Sequence, residues 1–406
     1  MKILLVNKFH WLKGGSEKYY FELGQLLKGH GHEVAYFSME NEKNIHTGDK
    51  EYFVKASDMN SKNITKAFSV IYSKENKKKM EEALDDFKPD IVHLNNFQRQ
   101  LSASIIDPCI KRDIPIVFTA HDVQAICPAI TMMDINKNIC ELCIKGKYRN
   151  CIKKKCIKES KLKSILGAIE GYYYRNHKIY TDKIDFIITP SSFVRNKFIE
   201  DGIDENKIVS IHNFIDIDMY NIDTSDEGYA LYFGRLSREK GVLNLIKAFS
   251  KLDKGLLYIA GEGPEKQYLK KIIKDNQLEK RVKLLGFLDN KEMKETIRKC
   301  KFVVVPSICN ENCPYSIIEA QTIGKPVIGS NIGGIPELIE NKKSGFIYEP
   351  YDINELSNKM KELFNNKAIV DEFCKETKRI TTNKYSKENY YNDLEKIYKS
   401  VLKRSR

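Results

Sequence analysis

The first forty residues alternate between apolar runs and helical spacing. Ile3-Leu-Leu-Val6 is a continuous apolar run, the pattern of a strand buried on both faces of a parallel sheet. Gly14-Gly15 follow, then Ser16 as the expected helix N-cap, then Tyr20, Leu23 and Leu27 at helical spacing. Gly29 to Gly31 stop that helix, and Glu33-Val-Ala-Tyr-Phe37 reads as the next strand. Strand, glycine loop, helix and strand open a doubly wound α/β domain. Met80, Ala83, Leu84 and Phe87 continue it as a helix ending before Pro89. Strands are expected at 90–94, 116–121 and 186–189, with a cysteine- and lysine-rich insertion at about 127–163.

A polar, acidic stretch over 213–228 lacks periodicity and reads as a linker. The alternation then restarts, with apolar strands at 230–233, 256–259, 282–285, 302–305, 326–329 and 345–348. The last helix, from about Ser386, puts Tyr390, Leu394, Ile397, Tyr398 and Val401 on one face. The pattern predicts two α/β domains in succession, 1–220 and 221–385, with 386–406 as a closing helix.

The length of 406 residues fits that division. With 42% apolar and 30% charged residues the chain can build cores, which excludes disorder as its dominant state. No stretch nears the roughly 18 uninterrupted apolar residues of a membrane-spanning helix. Asn7, Lys8 and His10 break any signal-type apolar start, so a cytoplasmic location is expected. Lys plus Arg number 68 against 55 Asp plus Glu, a net charge of +13. That surplus is compatible with nucleic acid, an anionic membrane surface or an anionic substrate.

Loops that follow the strands carry the candidate chemistry, because open α/β sheets take ligands at their strands' carboxyl ends. Gly234-Arg235-Leu-Ser-Arg-Glu-Lys240-Gly241 sets two cations where a helix begins, a good diphosphate site that solvated loop charges would also explain. Pro306-Ser-Ile-Cys-Asn-Glu311-Asn312-Cys313-Pro314-Tyr315-Ser316-Ile-Ile-Glu319-Ala leads from a strand into a helix. Residues eight apart on one helix are separated by about 12 Å along its axis. Glu311 and Glu319 are therefore not the pair, roughly 5 Å apart, of a retaining glycosidase. They read as acceptors for two different hydroxyl-bearing parts of one ligand.

Glu311 and Glu319, in the setting Glu-Asn-Cys-Pro-Tyr-Ser-Ile-Ile-Glu-Ala with Gly-Lys-Pro-Val-Ile-Gly after it, form an E-x7-E pair. Together with Gly-Arg-Leu-Ser-Arg-Glu-Lys-Gly, this closely resembles the family 4 retaining glycosyltransferases. Further matches are Gly14-Gly15, Thr119-Ala-His121-Asp122, Asn213-Phe-Ile-Asp216, Gly261-Glu-Gly-Pro264 and Gly333-Gly-Ile-Pro-Glu337. The resemblance covers essentially the whole chain. It implies a GT-B fold, two Rossmann-like doubly wound domains facing a central cleft, the last helix crossing back to the first. It also implies a hexosyltransferase that needs no metal, moving sugar from a nucleotide-sugar donor, uridine rather than guanosine, to a glycan or lipid-linked acceptor of surface polysaccharide synthesis. Arg235 and Lys240 would hold the donor diphosphate, Glu319 the ribose, and Glu311 the transferred sugar. Gly234, Gly263 and the backbone from Asn312 to Ser316 would line the donor, and the base would sit near Phe287 and Leu288. Gly15 would approach the phosphates and His121 the sugar or β-phosphate, with His93 and Asn95 on the acceptor side.

Within the insertion, Cys140-x2-Cys143 and Cys151-x4-Cys156 are compatible with a structural zinc site or with free thiols. Nine lysines and arginines opposed by Glu159 alone occupy 145–163, followed by Ile165, Leu166, Ile169, Tyr172 and Tyr173 at roughly helical spacing. Cations beside such a face suit peripheral attachment to an anionic leaflet, or are simply solvated. Two other readings stand beside the transferase. One is a same-fold nucleotide-sugar epimerase or hydrolase. The other is a basic nucleic-acid-binding protein, for which no RNA-binding signature is present.

Overall fold

The computed structural model describes residues 1–55, 68–136, 138–217 and 226–404. Part of the expected linker, 218–225, lies outside the described residues. The chain divides into two compact units, 1–212 with 390–406, and 213–389.

The first unit holds seven strands: β1 (Lys2–Val6), β2 (Glu33–Met39), β3 (Lys50–Val54), β4 (Ile91–Leu94), β5 (Ile116–Thr119), β6 (Phe186–Thr189) and β7 (Ile208–Ser210). They pair in the order β3-β2-β1-β4-β5-β6-β7, parallel throughout. The second unit holds β8 (Tyr229–Phe233), β9 (Leu256–Ala260), β10 (Val282–Gly286), β11 (Phe302–Val305), β12 (Val327–Ser330) and β13 (Gly345–Tyr348). Their order is β10-β9-β8-β11-β12-β13, again all parallel. Each sheet therefore reverses its winding once, between β1 and β4 and between β8 and β11. Such a reversal leaves a crevice at the carboxyl ends of the two strands that flank it.

The apolar runs have a direct structural cause. Along β8, Ala230 and Tyr232 pack into one core while Tyr229, Leu231 and Phe233 pack into another; β11 divides Phe302 and Val304 from Val303 and Val305 in the same way. Both faces of these strands are covered, so neither set of alternate positions is polar.

Helix α1 (Gly15–Gly29) follows β1. Its N-cap is Gly14, with no side-chain cap, and not the expected Ser16. The Ser16 hydroxyl donates instead to Glu17 Oε1 at 2.9 Å. The closing helix α2 (Lys387–Arg404) belongs to the first unit from Tyr390 onward. A chain of hydrogen bonds holds it there: Tyr390 Oη to Tyr19 Oη, Tyr19 Oη to Thr119 Oγ1 (3.2 Å), Thr119 Oγ1 to His93 Nε2 (2.8 Å), and His93 Nδ1 to Tyr398 Oη (2.6 Å).

Candidate functional site

In the second unit, the predicted donor residues gather after the strands that flank the reversal. Arg235 and Lys240 follow β8, and Glu311 follows β11. The loop after β8 is tied to the one after β9: the Leu236 N–H donates to the Glu262 carbonyl (2.9 Å) and the Glu265 N–H to the Leu236 carbonyl (3.0 Å), with Gly263 between them. The Tyr232 hydroxyl donates to the Arg235 carbonyl at 2.8 Å. Arg235 is exposed beside Gly234, and among the described residues its guanidinium makes no ion pair. Gly241 must be glycine: its φ is +69°, and a Cβ there would stand 1.8 Å from the Pro306 carbonyl oxygen. That close approach joins the two strand-end loops.

Lys240 Nζ lies 2.5 Å from Glu311 Oε1, and the buried Ser307 hydroxyl donates to the same oxygen at 2.7 Å. Burial opposes both charges, yet Glu311 holds Lys240 above its ordinary range. Burial likewise pushes Glu311 upward, but Lys240 and Ser307 hold it below its own. Both groups are ionised at neutral pH. Glu311 Oε1 is saturated, whereas Oε2 makes no hydrogen bond within the described residues and is not sealed from solvent. The loop backbone is fixed as well, since the Gly334 N–H donates to the Glu311 carbonyl at 2.7 Å.

Helix α3 (Tyr315–Thr322) begins four residues after Glu311. Glu311 thus precedes the helix, while Glu319 lies within it, half-buried. The N-cap is Pro314 and no side chain caps the first turn, which leaves N–H groups there for an incoming oxygen. Asn312 and Ser316 are half-buried, and Cys313 is buried with its carbonyl accepting from Asn213 Nδ2 at 3.1 Å. Phe287 stands 78% exposed past the end of β10, whereas Leu288 packs against the core.

In the first unit, His121 follows β5 and Asn95 follows β4. The Asn95 amide nitrogen donates to the Val6 carbonyl at 3.3 Å, which turns Oδ1 toward His121 Nε2 at 3.1 Å. Oδ1 can only accept, so Nε2 carries the ring proton. Burial pushes His121 down to about 3, and it is neutral at physiological pH. Asn95 was expected on the acceptor side, but it is wholly buried and instead orients His121. His93 also departs from expectation. Its ring is fully buried and both nitrogens are engaged, by Tyr398 and Thr119, so neither is left for a ligand. It ends a strand, as the sequence suggests, but alternation turns it into the fold.

The cysteines bear on the choice between a zinc site and free thiols. Cys143 and Cys151 pack with Tyr148, Ile157 and Ala168, with Cys156 against them, and Cys140 lies nearby in the chain. All four are free thiols. Among the described residues no group of three or more His, Cys, Asp or Glu is arranged to hold a metal ion. The helix α4 (Lys161–Asn176) buries Leu166 and Tyr174, so the apolar residues after the basic run serve the core as well as the surface. Leu162 (76%), Leu142 (50%) and Ile139 (48%) are among the apolar side chains left exposed, as are Ile169 and Tyr172 of the helix itself. Of the nine cations in 145–163, Lys154 alone forms an ion pair among the described residues, with Asp134 at 3.0 Å. Also among the described residues, no helix is long and apolar enough to cross a membrane.

Sequence reasoning missed Ser307, although its place directly after a strand and before Glu311 is a usable signal. Residues 13–219 match the Glycosyltransferase Family 4 domain and residues 220–387 the Glycosyl transferases group 1 domain. The chain belongs to glycosyltransferase family 4. An uncharacterized glycosyltransferase of Methanocaldococcus jannaschii is 28% identical over 58% of this family 4 chain and 64% of its own length. An uncharacterized protein from the cps region of Klebsiella pneumoniae is 24% identical over 92% and 99% of the two chains. Over several curated relatives the match spans only about half to two-thirds of the relative's length. The fold is that of GT-B glycosyltransferases. A sucrose-phosphate synthase from Thermosynechococcus elongatus superposes with TM-score 0.74 at 16% identity over 99% of both chains. Anabaena HepE in complex with UDP-glucose superposes with TM-score 0.72 at 17% identity, covering 98% and 100%.

Proposed function

We propose that this family 4 chain is a retaining glycosyltransferase. It would move a hexose from a nucleotide-sugar, UDP-linked rather than GDP-linked, to a glycan or lipid-linked acceptor in surface polysaccharide synthesis. The observation that carries the proposal is the Lys240–Glu311 pair at the reversal of the second sheet, with one carboxylate oxygen committed to protein and the other open.

In this reading Arg235 and Lys240 grip the donor diphosphate and offset the charge that grows on the departing phosphate. Glu311 Oε2 accepts a hydroxyl of the sugar, and Glu319 accepts the ribose hydroxyls. Backbone N–H groups at the start of α3 meet phosphate or sugar, while Phe287 and Leu288 flank the base. From the first unit, His121, neutral and oriented by Asn95, would contribute a hydrogen bond to the sugar or β-phosphate, and Gly15 would approach the phosphates. The departing phosphate takes the acceptor proton on the same face, which retains the anomeric configuration. No metal is required, because two cations stand where one would act. The first unit meets an anionic leaflet through its basic run, on the cytoplasmic face.

The test is a calorimetric or thermal-shift panel of UDP- and GDP-sugars with wild type and Glu311→Ala. UDP-sugars should bind, and the variant should lose sugar discrimination while keeping UDP. Failure of every nucleotide to bind wild type refutes the donor site. Donor consumption without any acceptor would favour the epimerase or hydrolase reading.

A further inference from the structure

The carboxyl edge of β1 carries side chains that the donor reading leaves unused. After Val6 the chain passes through Asn7, Lys8, Phe9, Trp11 and Lys13 before α1 opens at Gly15. β1 flanks the reversal of the first sheet, the place where such a sheet offers a crevice. The Phe9 and Trp11 rings lie 4.8 Å apart between centroids at 59°. The Lys13 ammonium sits 3.7 Å from the Phe9 centroid and the Lys8 ammonium 5.7 Å. Trp11 is half-buried, so one side of an indole is held by protein and the rest meets solvent.

Lys8 is the unexplained member. Its backbone is fixed: its N–H donates to the Asn96 carbonyl at 2.7 Å. The residue is half-buried, yet its ammonium makes no hydrogen bond or ion pair among the described residues. The carboxylates around it are engaged elsewhere. Glu17 Oε1 accepts from Ser16 at 2.9 Å and Asn7 at 3.5 Å, and Asp122 Oδ1 accepts from the Gln124 N–H at 2.8 Å. The neighbouring cation Arg99 is paired with Glu170 at 3.4 Å. Burial draws the Lys8 pKa below the ordinary lysine range, against the pull of Asp122. A partly desolvated ammonium with no acceptor from the protein gains most from an anion that meets it. Charge-assisted contact with an oxyanion is the strongest compensation available. The Trp11 indole, which packs on the same Phe9 ring that Lys8 approaches, offers a flat apolar face that a sugar ring covers.

We propose that Lys8 and Trp11 form a subsite in the first unit for a saccharide that carries an oxyanion, either phosphate or carboxylate. Calling that saccharide the acceptor rests on the transferase reading, whereas the site itself does not. It deepens that reading by giving the acceptor a chemical class, an anionic sugar or sugar phosphate.

Trp11 is the single tryptophan of the chain, so its fluorescence reports on this site alone. The full chain, without donor, is titrated with glucose 1-phosphate, glucuronate and glucose at constant ionic strength. At least one of the two anions should give a saturable change, and which one responds tells phosphate from carboxylate. Glucose should bind at least tenfold more weakly. Lys8→Met should weaken the anion at least tenfold, and Lys8→Arg should retain it. An equal response to glucose and both anions, no response to any, or an unchanged response in Lys8→Met overturns the proposal. The comparison of sugars on wild type decides the matter even if the variant does not fold. Because no nucleotide is present, failure here leaves the donor reading untouched, and the Glu311→Ala panel tests that separately.

Discussion

Glu311 has two oxygens in different circumstances, and the difference predicts the effect of a neighbour that never touches substrate. Ser307 donates to Oε1 at 2.7 Å from a buried position, and its own carbonyl accepts from Ser330 Oγ at 2.6 Å. The backbone of Ser307 is therefore anchored to β12 while its hydroxyl fixes which carboxylate oxygen stays open. A hydrogen bond to a charged group contributes about 1.5–3 kcal/mol. Ser307→Ala should accordingly weaken UDP-sugar binding roughly tenfold or more, while binding of UDP alone changes little. Isothermal titration with both ligands measures this. Equal loss for UDP and UDP-sugar would mean that Ser307 supports the loop and does not orient Glu311.

At the scale of elements, the bond network from Tyr390 through Tyr19, Thr119 and His93 to Tyr398 pins the closing helix, and it contains a titratable group. Burial pushes His93 down to about 3, with His121 acting in the same direction. An unfolded histidine takes up its proton near 6.5, whereas this ring resists until about 3. Between those values the unfolded chain holds more protons, so stability must fall as pH falls and is fully present above about 6.5. Each such group contributes a slope of up to about 1.4 kcal/mol per pH unit. His121, also near 3, adds to it. Urea unfolding of the first unit at pH 7 and pH 5 should show the loss, and His93→Gln should flatten it. An unchanged slope in that variant would show that the protons are taken up elsewhere. The same elements explain what could be read from sequence. The inner strands announced themselves because both faces are apolar. The strands at one edge of each side of the first sheet, β3 and β7, did not: Lys50–Val54 is largely half-exposed and Ile208–Ser210 is three residues long. Motif spacing located Arg235, Lys240 and Glu311, since loops after strands converge by topology. It misread His93 because a strand end does not tell which face a side chain takes, and it left zinc and free thiols both open because cysteine spacing alone does not set the geometry of a metal site.

For the whole molecule, charge is unevenly spent. The net charge is +13, and in 145–163 only Lys154 is paired among the described residues. Cations held apart from carboxylates keep their attraction for an outside surface, at about 1 kcal/mol each near an anionic leaflet. Leu142 and Leu162, exposed in or beside the same run, add apolar area that nothing among the described residues covers. Leu166 turns into the core while Ile165 and Tyr173 are half-buried, so the apolar contribution is smaller than the sequence pattern suggests and attachment should depend chiefly on charge. The protein should therefore sediment with vesicles containing anionic lipid in low salt and be released by high salt, as a screened interaction requires. Reversing Lys153, Lys155 and Lys158 to glutamate should abolish sedimentation, whereas Leu162→Ser should weaken it only slightly. Equal recovery with neutral and anionic vesicles would leave the basic run as a solvated face. Salt-sensitive RNA binding by the wild type, lost in the charge-reversed variant and without vesicle binding, would assign it to nucleic acid instead.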